Sequence, residues 1–323
     1  ARTMRAIIAP ADGGPEVLTI EETRAPVPGP GEVLVRTAAV GVNFIETYQR
    51  SGLYDVPFPF TPGAEASGTV IAVGDEVTGI AVGSLVATAE GQATYAEEFV
   101  VPEAAVVHVP SGISADVAAA LPLQGLTAHY LGTSSANPQA GETVLVHAGA
   151  GGVGLLLTQL LTARGVRVLT TVSTPAKAEL SRAAGAAAVL EYEGFADRAR
   201  ELTDGAGVAV VFDGVGKDTF DESLRALQVR GELVLFGGSS GPVPPFNLQR
   251  LNSGGSLSVT RPSLGFFLRT PEERAWRYGE LFEAIDRGAL DIRIGATFPL
   301  DAAADAHRAL EGRQTTGKVI LTV

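Results

Sequence analysis

The 323-residue chain contains no cysteine. That excludes disulfides, thiolate metal sites, iron–sulfur clusters and a catalytic thiol together, and leaves the compartment open. Histidine is sparse too, with His108, His129, His147 and His307 the only four. None stands at helical i, i+4 ligand spacing or beside a carboxylate in a metal motif, so each reads as structural first. No G-x-S-x-G occurs, so a hydrolase of that kind lacks its nucleophile. Positive charge is short: 24 Lys+Arg against 36 Asp+Glu give a net charge of -12, the wrong sign for neutralising nucleic-acid phosphates. With 46% hydrophobic and only 19% charged residues, the chain is globular, not disordered. No apolar run approaches a membrane span, and no basic stretch leads into an apolar one at the start; a soluble cytoplasmic protein is the expectation. Its 323 residues predict about two domains, because one core seldom grows past roughly 250–300 residues.

What is present changes grammar near the middle. Up to about residue 125, short apolar runs (Val33–Val35, Gly68–Val73, Leu85–Thr88, Val106–Val109) alternate with PVPGPGE, VPFPFTPG and VPSG, which predicts strands and turns. Helix is expected only after Asn43 and near Ser114–Ala120. From Gly141 strand and helix alternate: strands at Thr143–His147, Val166–Val172, Val189–Leu190, Val208–Phe212 and Glu232–Phe236, helices at Pro175–Gly185, Phe195–Thr203 and Asp218–Leu227. Such alternation predicts a doubly wound α/β parallel sheet. The tail predicts a helix over Glu272–Arg287, a strand region Ile292–Thr297, a helix Asp301–Glu311 and a strand Lys318–Val323. Spacing alone lets that last strand close either domain.

The strongest local signal is His147-Ala148-Gly149-Ala150-Gly151-Gly152-Val153-Gly154, a G-x-G-x-x-G between an apolar strand and an apolar helix. Glycines there permit a tight turn, close approach of a pyrophosphate to the backbone, and helix–strand packing. The helix N-terminus then faces the diphosphate. An NAD enzyme places Asp or Glu at the end of the next strand to bind the ribose 2′-OH. Here that end reads Val172-Ser173-Thr174-Pro175-Ala176-Lys177, with hydroxyls and a cation and no carboxylate, which predicts NADP(H). A second reading stays open, in which Ser173 and Thr174 are only helix caps and Lys177 a solvated residue. Asp213 and the run Phe236–Ser240 end later strands and are expected to line the nicotinamide half of the site.

These residues resemble the medium-chain dehydrogenase/reductase superfamily, and within it the quinone oxidoreductase (zeta-crystallin-like) family. Val40–Tyr54, Pro62–Gly74, Gly125–Leu131, Phe212–Phe220 and Ser258–Leu264 carry the narrower likeness, in colinear order along nearly the whole chain. The resemblance implies a GroES-like β-rich domain over 1–125 and 292–323 and a Rossmann NADP(H)-binding domain over 126–291. It also implies a homodimer joined through a strand near Ser256–Thr260. Zinc-dependent relatives carry cysteine and a G-H-E segment where this chain has Val42-Asn43 and Gly63-Ala64-Glu65, so the resemblance implies a zinc-free branch. It places Asn43, Tyr48, Tyr54 and Arg261 around the nicotinamide and the quinone. Gly151, Gly152 and Val153 would hold the pyrophosphate, and Ser173, Lys177 and Tyr192 the 2′-phosphate. Phe236, Gly237, Ser239 and Ser240 would pack beside the nicotinamide. Two positions depart from relatives: Gly214 replaces a serine and Gln124 a lysine. The implied activity is zinc-independent hydride transfer from NADPH to a quinone in the interdomain cleft. Rival readings are an NADPH-dependent alkenal or enone reductase and a non-catalytic NADPH-binding structural protein.

Overall fold

The computed structural model describes residues 1–323. In chain order the strands are β1 (Thr3–Ile8), β2 (Thr19–Arg24), β3 (Glu32–Val42), β4 (Glu65–Val73), β5 (Leu85–Thr88), β6 (Glu98–Pro102), β7 (Val107–His108), β8 (Thr143–Val146), β9 (Arg167–Thr171), β10 (Ala188–Leu190), β11 (Val208–Asp213), β12 (Leu227–Leu235), β13 (Ser258–Thr260), β14 (Ile294–Pro299) and β15 (Lys318–Thr322). The helices are α1 (Phe44–Ser51), α2 (Ala115–Ala120), α3 (Pro122–Tyr130), α4 (Gly152–Ala163), α5 (Pro175–Ala183), α6 (Phe195–Glu201), α7 (Phe220–Ala226), α8 (Gln249–Ser253), α9 (Pro271–Asp286) and α10 (Ala303–Glu311). No helix is long and apolar enough to cross a membrane.

Two compact units result, one of Ala1–Leu123 with Ile292–Val323 and one of Gln124–Asp291. The first is built on a seven-stranded sheet in the order β14-β15-β3-β4-β5-β7, with β6 also on β3. The tail strand therefore joins the first unit, pairing antiparallel with β3 and parallel with β14. Its core gathers Val33, Val35, Val40, Phe99, Val319 and Leu321 from both ends of the chain. Alternation puts Val33 and Val35 on one face of β3, and the register shift between Thr37 and Ala39 brings Val40 to the same face.

The second unit is a six-stranded sheet in the order β10-β9-β8-β11-β12-β13. Every pairing in it is parallel. This is the doubly wound order, with the chain reversing direction between β8 and β11, where ligands bind outside the carboxyl ends of strands. Leu145, Leu169, Phe195, Val211 and Leu233 form its core. Helix starts follow local chemistry. Thr174 accepts the Lys177 N–H at 3.2 Å with Pro175 opening α5, and Thr270 accepts the Glu273 N–H at 3.1 Å with Pro271 opening α9. Expected boundaries shift where pairing overrides periodicity. β12 begins at Leu227, not Glu232, because Leu227 pairs with Val208 ahead of a bulge. Helix α3 was not expected from apolar pattern alone, since it buries most of its surface and shows little amphipathic contrast.

Candidate active site

The β8–α4 loop is bent by Ala148, held at φ 54 in the left-handed region. Two bonds fix it to β9 and to itself: Gly149 N–H to Thr171 O at 2.8 Å and Gly151 N–H to Ala148 O at 2.9 Å. A Cβ at Gly154 would collide with the Ala148 carbonyl, so helix and loop approach closely only through glycine. Gly151 caps α4 without any side-chain acceptor. The first turn of α4, at Gly152 and Val153, thus receives no side-chain cap, and a helix start of that kind can receive an anion. The Gln124 amide lies against Gly152, beside that end.

Beneath the loop, His147 is fully buried and neutral. Its Nε2–H donates to Ser223 Oγ at 2.8 Å, because Ser223 itself donates to Asp213 Oδ2 at 2.9 Å. Its Nδ1 therefore accepts from Thr171 Oγ1 at 2.8 Å. Burial pushes its pKa down to about 4 against the opposing pull of Asp213. Asp213 is 0% exposed. It takes four donors: the N–H groups of Val215 and Gly216 and the hydroxyls of Thr219 and Ser223. The expectation that Asp213 lines the nicotinamide half is corrected here: a carboxylate ending a central strand is satisfied inward by the turn it starts.

At the end of β9 a cavity of about 640 Å³ is walled by Ser173, Thr174, Glu179, Arg182, Glu191 and Tyr192, among others. Thr174 is a cap, as the second reading had it, whereas Ser173 stays exposed and receives Lys177 Nζ at 3.4 Å. Arg182 adds a cation to this wall that the motif reading did not single out. Tyr192 Oη accepts the Ala148 N–H at 3.1 Å, and its ring stacks on His147 at 5.9 Å, so cavity and glycine loop are mechanically joined.

Beyond β12, Phe236 N–H bonds Asp213 O at 2.9 Å and Ser239 N–H bonds Gly214 O at 3.1 Å. The Phe236 ring comes within 2.9 Å of where a Gly214 Cβ would stand, which accounts for the absence of serine there. Gly237 packs on Gly214. The Ser240 hydroxyl is committed within the loop, donating to Val215 O at 2.7 Å and accepting the Asp218 N–H at 3.0 Å. Arg261 is exposed and donates to Pro262 O at 2.8 Å.

In the first unit, Asn43, Tyr48 and Tyr54 gather on α1 and the turn after it. Glu46 Oε1 reaches back to the Asn43 N–H at 2.8 Å. The Asn43 side chain turns away and is gripped by ions, donating from Nδ2 to Glu65 Oε1 at 2.9 Å and accepting from Lys318 Nζ at 2.7 Å. Glu65 reaches it across Gly41, its register partner on β3, where any Cβ would overlap the carboxylate. Lys318 Nζ stands 2.6 Å from Glu65 Oε1, and the Leu123 N–H meets the other oxygen at 2.7 Å. A second chain runs behind it. Arg50 can only donate, so His307 Nδ1 accepts from it at 2.9 Å, His307 Nε2–H meets Tyr95 Oη at 3.1 Å, and Tyr95 donates to Glu46 Oε1 at 3.2 Å. Burial raises the Glu46 pKa to about 8 and, with the Arg50 charge, lowers that of His307 to about 3. The rings of Tyr48 and Tyr54 lie 5.4 Å apart, and burial and its neighbour raise the Tyr48 pKa.

Two family models match: an alcohol dehydrogenase GroES-like domain over residues 29–111 and a zinc-binding dehydrogenase over 152–280. A quinone oxidoreductase of Pseudomonas aeruginosa is 48% identical over 315 residues, covering 96% of this chain and 97% of that one. This chain belongs to the quinone oxidoreductases. A 2-haloacrylate reductase of a Burkholderia species is 38% identical, with 96% of each chain covered. Among solved structures, a mycobacterial protein complexed with NADPH is 52% identical and superposes with a TM-score of 0.96, covering 99% of this chain and 100% of that one. The fold is thus a GroES-like domain joined to a Rossmann-type α/β domain, as the resemblance implied.

Zinc, carried in the name of one family model, does not fit the residues of this quinone oxidoreductase. Val42 and Ala64 offer no lone pair, and the Asn43 carboxamide already faces an ammonium and a carboxylate. Sequence reasoning missed Lys318, Glu46 and Arg182. A lysine opening an apolar strand reads as a solvated end, and only its contacts with Glu65 and Asn43 reveal it as buried.

Proposed function

We propose that this chain transfers a hydride from NADPH to a quinone without a metal. The β8–α4 loop carries the reading: an α4 N-terminus with no side-chain cap, and beside it a β9 end with Ser173 and Lys177 where an NAD enzyme has a carboxylate. In this reading Gly151, Gly152 and Val153 hold the diphosphate, and Ser173, Lys177 and Tyr192 the 2′-phosphate. Phe236, Gly237 and Ser239 pack beside the nicotinamide with Arg261 close by, while Ser240 stiffens their loop. When bound, NADPH supplies the hydride that, with one proton, turns a quinone into its hydroquinone. Asn43, Tyr48 and Tyr54 border the acceptor. A phenol whose pKa is raised, like that of Tyr48, stays protonated and orients a carbonyl oxygen better than it releases a proton, so the proton comes from solvent. The domain limits implied by the resemblance, 1–125 with 292–323 against 126–291, belong to the same proposal.

The 38% identity to a 2-haloacrylate reductase supports a second reading, reduction of a carbon–carbon double bond conjugated to a carbonyl. NADPH oxidation measured with a polycyclic quinone and with a linear enal separates them. Quinone turnover with NADPH preferred to NADH is expected. An inert quinone, with enal turnover abolished by Tyr48→Phe or Tyr54→Phe, would hand the site to the second reading. The proposal extends to a cytoplasmic homodimer. β13 ends the six-stranded sheet with one side unpaired, a ready edge for a second copy, and light scattering giving the mass of one chain would remove that part.

A further inference from the structure

The Asn43 side chain is held by ions from distant segments, and their chemistry fixes which way its carboxamide points. An ammonium only donates, so Oδ1 must face Lys318 Nζ; a carboxylate accepts, so Nδ2 must face Glu65 Oε1. Both ions are buried, Lys318 at 1% and Glu65 at 0% exposure. They pair with each other at 2.6 Å, and Glu65 is anchored further by the Leu123 N–H. One Nδ2–H remains uncommitted. The backbone N–H of Asn43 is held separately by Glu46, so rotation at either side of the residue is restrained. Maintaining a buried ion pair is a poor route to stability, which invites a role beyond folding.

We propose that Lys318 and Glu65 are positioning residues for quinone reduction, locking the Asn43 carboxamide so that it presents an N–H donor to the acceptor's carbonyl oxygen. This rests on the reading that Asn43 borders the acceptor. The acceptor oxygen gathers negative charge as hydride arrives, and a donor already aimed at it costs no reorganisation at that moment. The Lys318 charge on Oδ1 draws electron density from the amide and offsets what the Glu65 carboxylate returns through Nδ2, so the pair's part is orientation. A free carboxamide would present its oxygen half of the time and repel the same charge.

The test compares Asn43→Ala, the charge-neutral pair Lys318→Met/Glu65→Gln, and all three substitutions combined. Turnover is read with one benzoquinone, and NADPH dissociation by nicotinamide fluorescence. Asn43→Ala is expected to lower kcat about 100-fold. The neutral pair lowers it about tenfold, leaves the NADPH Kd unmoved, and adds nothing in the Asn43→Ala background, since groups that act through one residue are not additive. An additive loss, or wild-type kcat in the neutral pair, overturns the proposal. Wild-type kcat in Asn43→Ala removes Asn43 from the acceptor site, a failure of the functional reading itself and recognisable as such. Should the neutral pair not fold, Lys318→Arg takes its place. It is expected to lower kcat by a loss that vanishes in the Asn43→Ala background; unchanged kcat, or a loss that persists there, overturns the proposal.

Discussion

Beneath the glycine loop of the second unit, His147, Thr171, Ser223, Thr219 and Asp213 form a network with a single ionised member, saturated by hydroxyls and turn N–H groups. Behind Asn43 in the first unit, Lys318 and Glu65 are paired ions at 2.6 Å, and Arg50 with Glu311 makes a second pair. The hydroxyl network draws on strand ends, the turn that follows β11 and the first turn of α7. The ionic one draws on residues 43, 65 and 318, gathered by the pairing of β15, β3 and β4, and on 46, 50, 95 and 307, gathered where α1 packs on α10. Binding a diphosphate asks for rigid backbone donors, which local hydroxyls can support. Orienting one side chain toward a charge that develops only during reaction asks for fixed charge.

The comparison breaks most visibly under Lys318→Met. Losing one member of a buried ion pair costs about 3–5 kcal/mol, and the denaturant midpoint should fall accordingly. Restoring much of it with Glu65→Gln would show that the stranded carboxylate causes the loss. In the hydroxyl network Ser223→Ala should cost less, about 1–3 kcal/mol, because Asp213 keeps three donors and only His147 Nε2–H is orphaned. Equal losses for the two substitutions would erase the distinction drawn here.

For the cofactor half, Lys177→Ala should raise the NADPH Kd about ten- to a hundred-fold, with the NADH Kd nearly unchanged. The same loss for both would mean that Lys177 does not read the 2′-phosphate. A further effect is one of pH. The Glu46 pKa is raised from 4.5 to about 8 by burial, so the folded chain keeps a proton that the unfolded chain has released. Stability from this group therefore falls as pH rises between 4.5 and about 8, and is constant above. Glu46→Gln removes that slope, so its Tm should gain on the parent across this window. His147 and His307, lowered to about 4 and about 3, act oppositely below 6.5 in both proteins and cancel from the difference.

What was legible in the sequence follows the same division. Strand, glycines and helix are contiguous from Thr143 to Ala163, and the Thr174–Pro175 start of α5 is written in adjacent residues, so the nucleotide-binding half could be read almost residue by residue. Asp213 was misplaced because a strand-end carboxylate looks the same in sequence whether it faces ligand or its own turn. Lys318 was invisible because its partners lie 275 and 253 positions away, and nothing local marks a strand-opening lysine as buried. Asn43, Tyr48 and Tyr54 came through the family resemblance, not through spacing.

The central claim is that bound NADPH is spent on a quinone. Enzyme preloaded with one equivalent of NADPH, mixed rapidly with a quinone without added metal and in the presence of a chelator, tests it in a single turnover. The account predicts loss of the reduced-nicotinamide absorbance with matching formation of hydroquinone, far faster than in free solution. NADPH that binds and stays reduced in the presence of quinone would contradict it, and would make the chain a binding protein instead of a reductase.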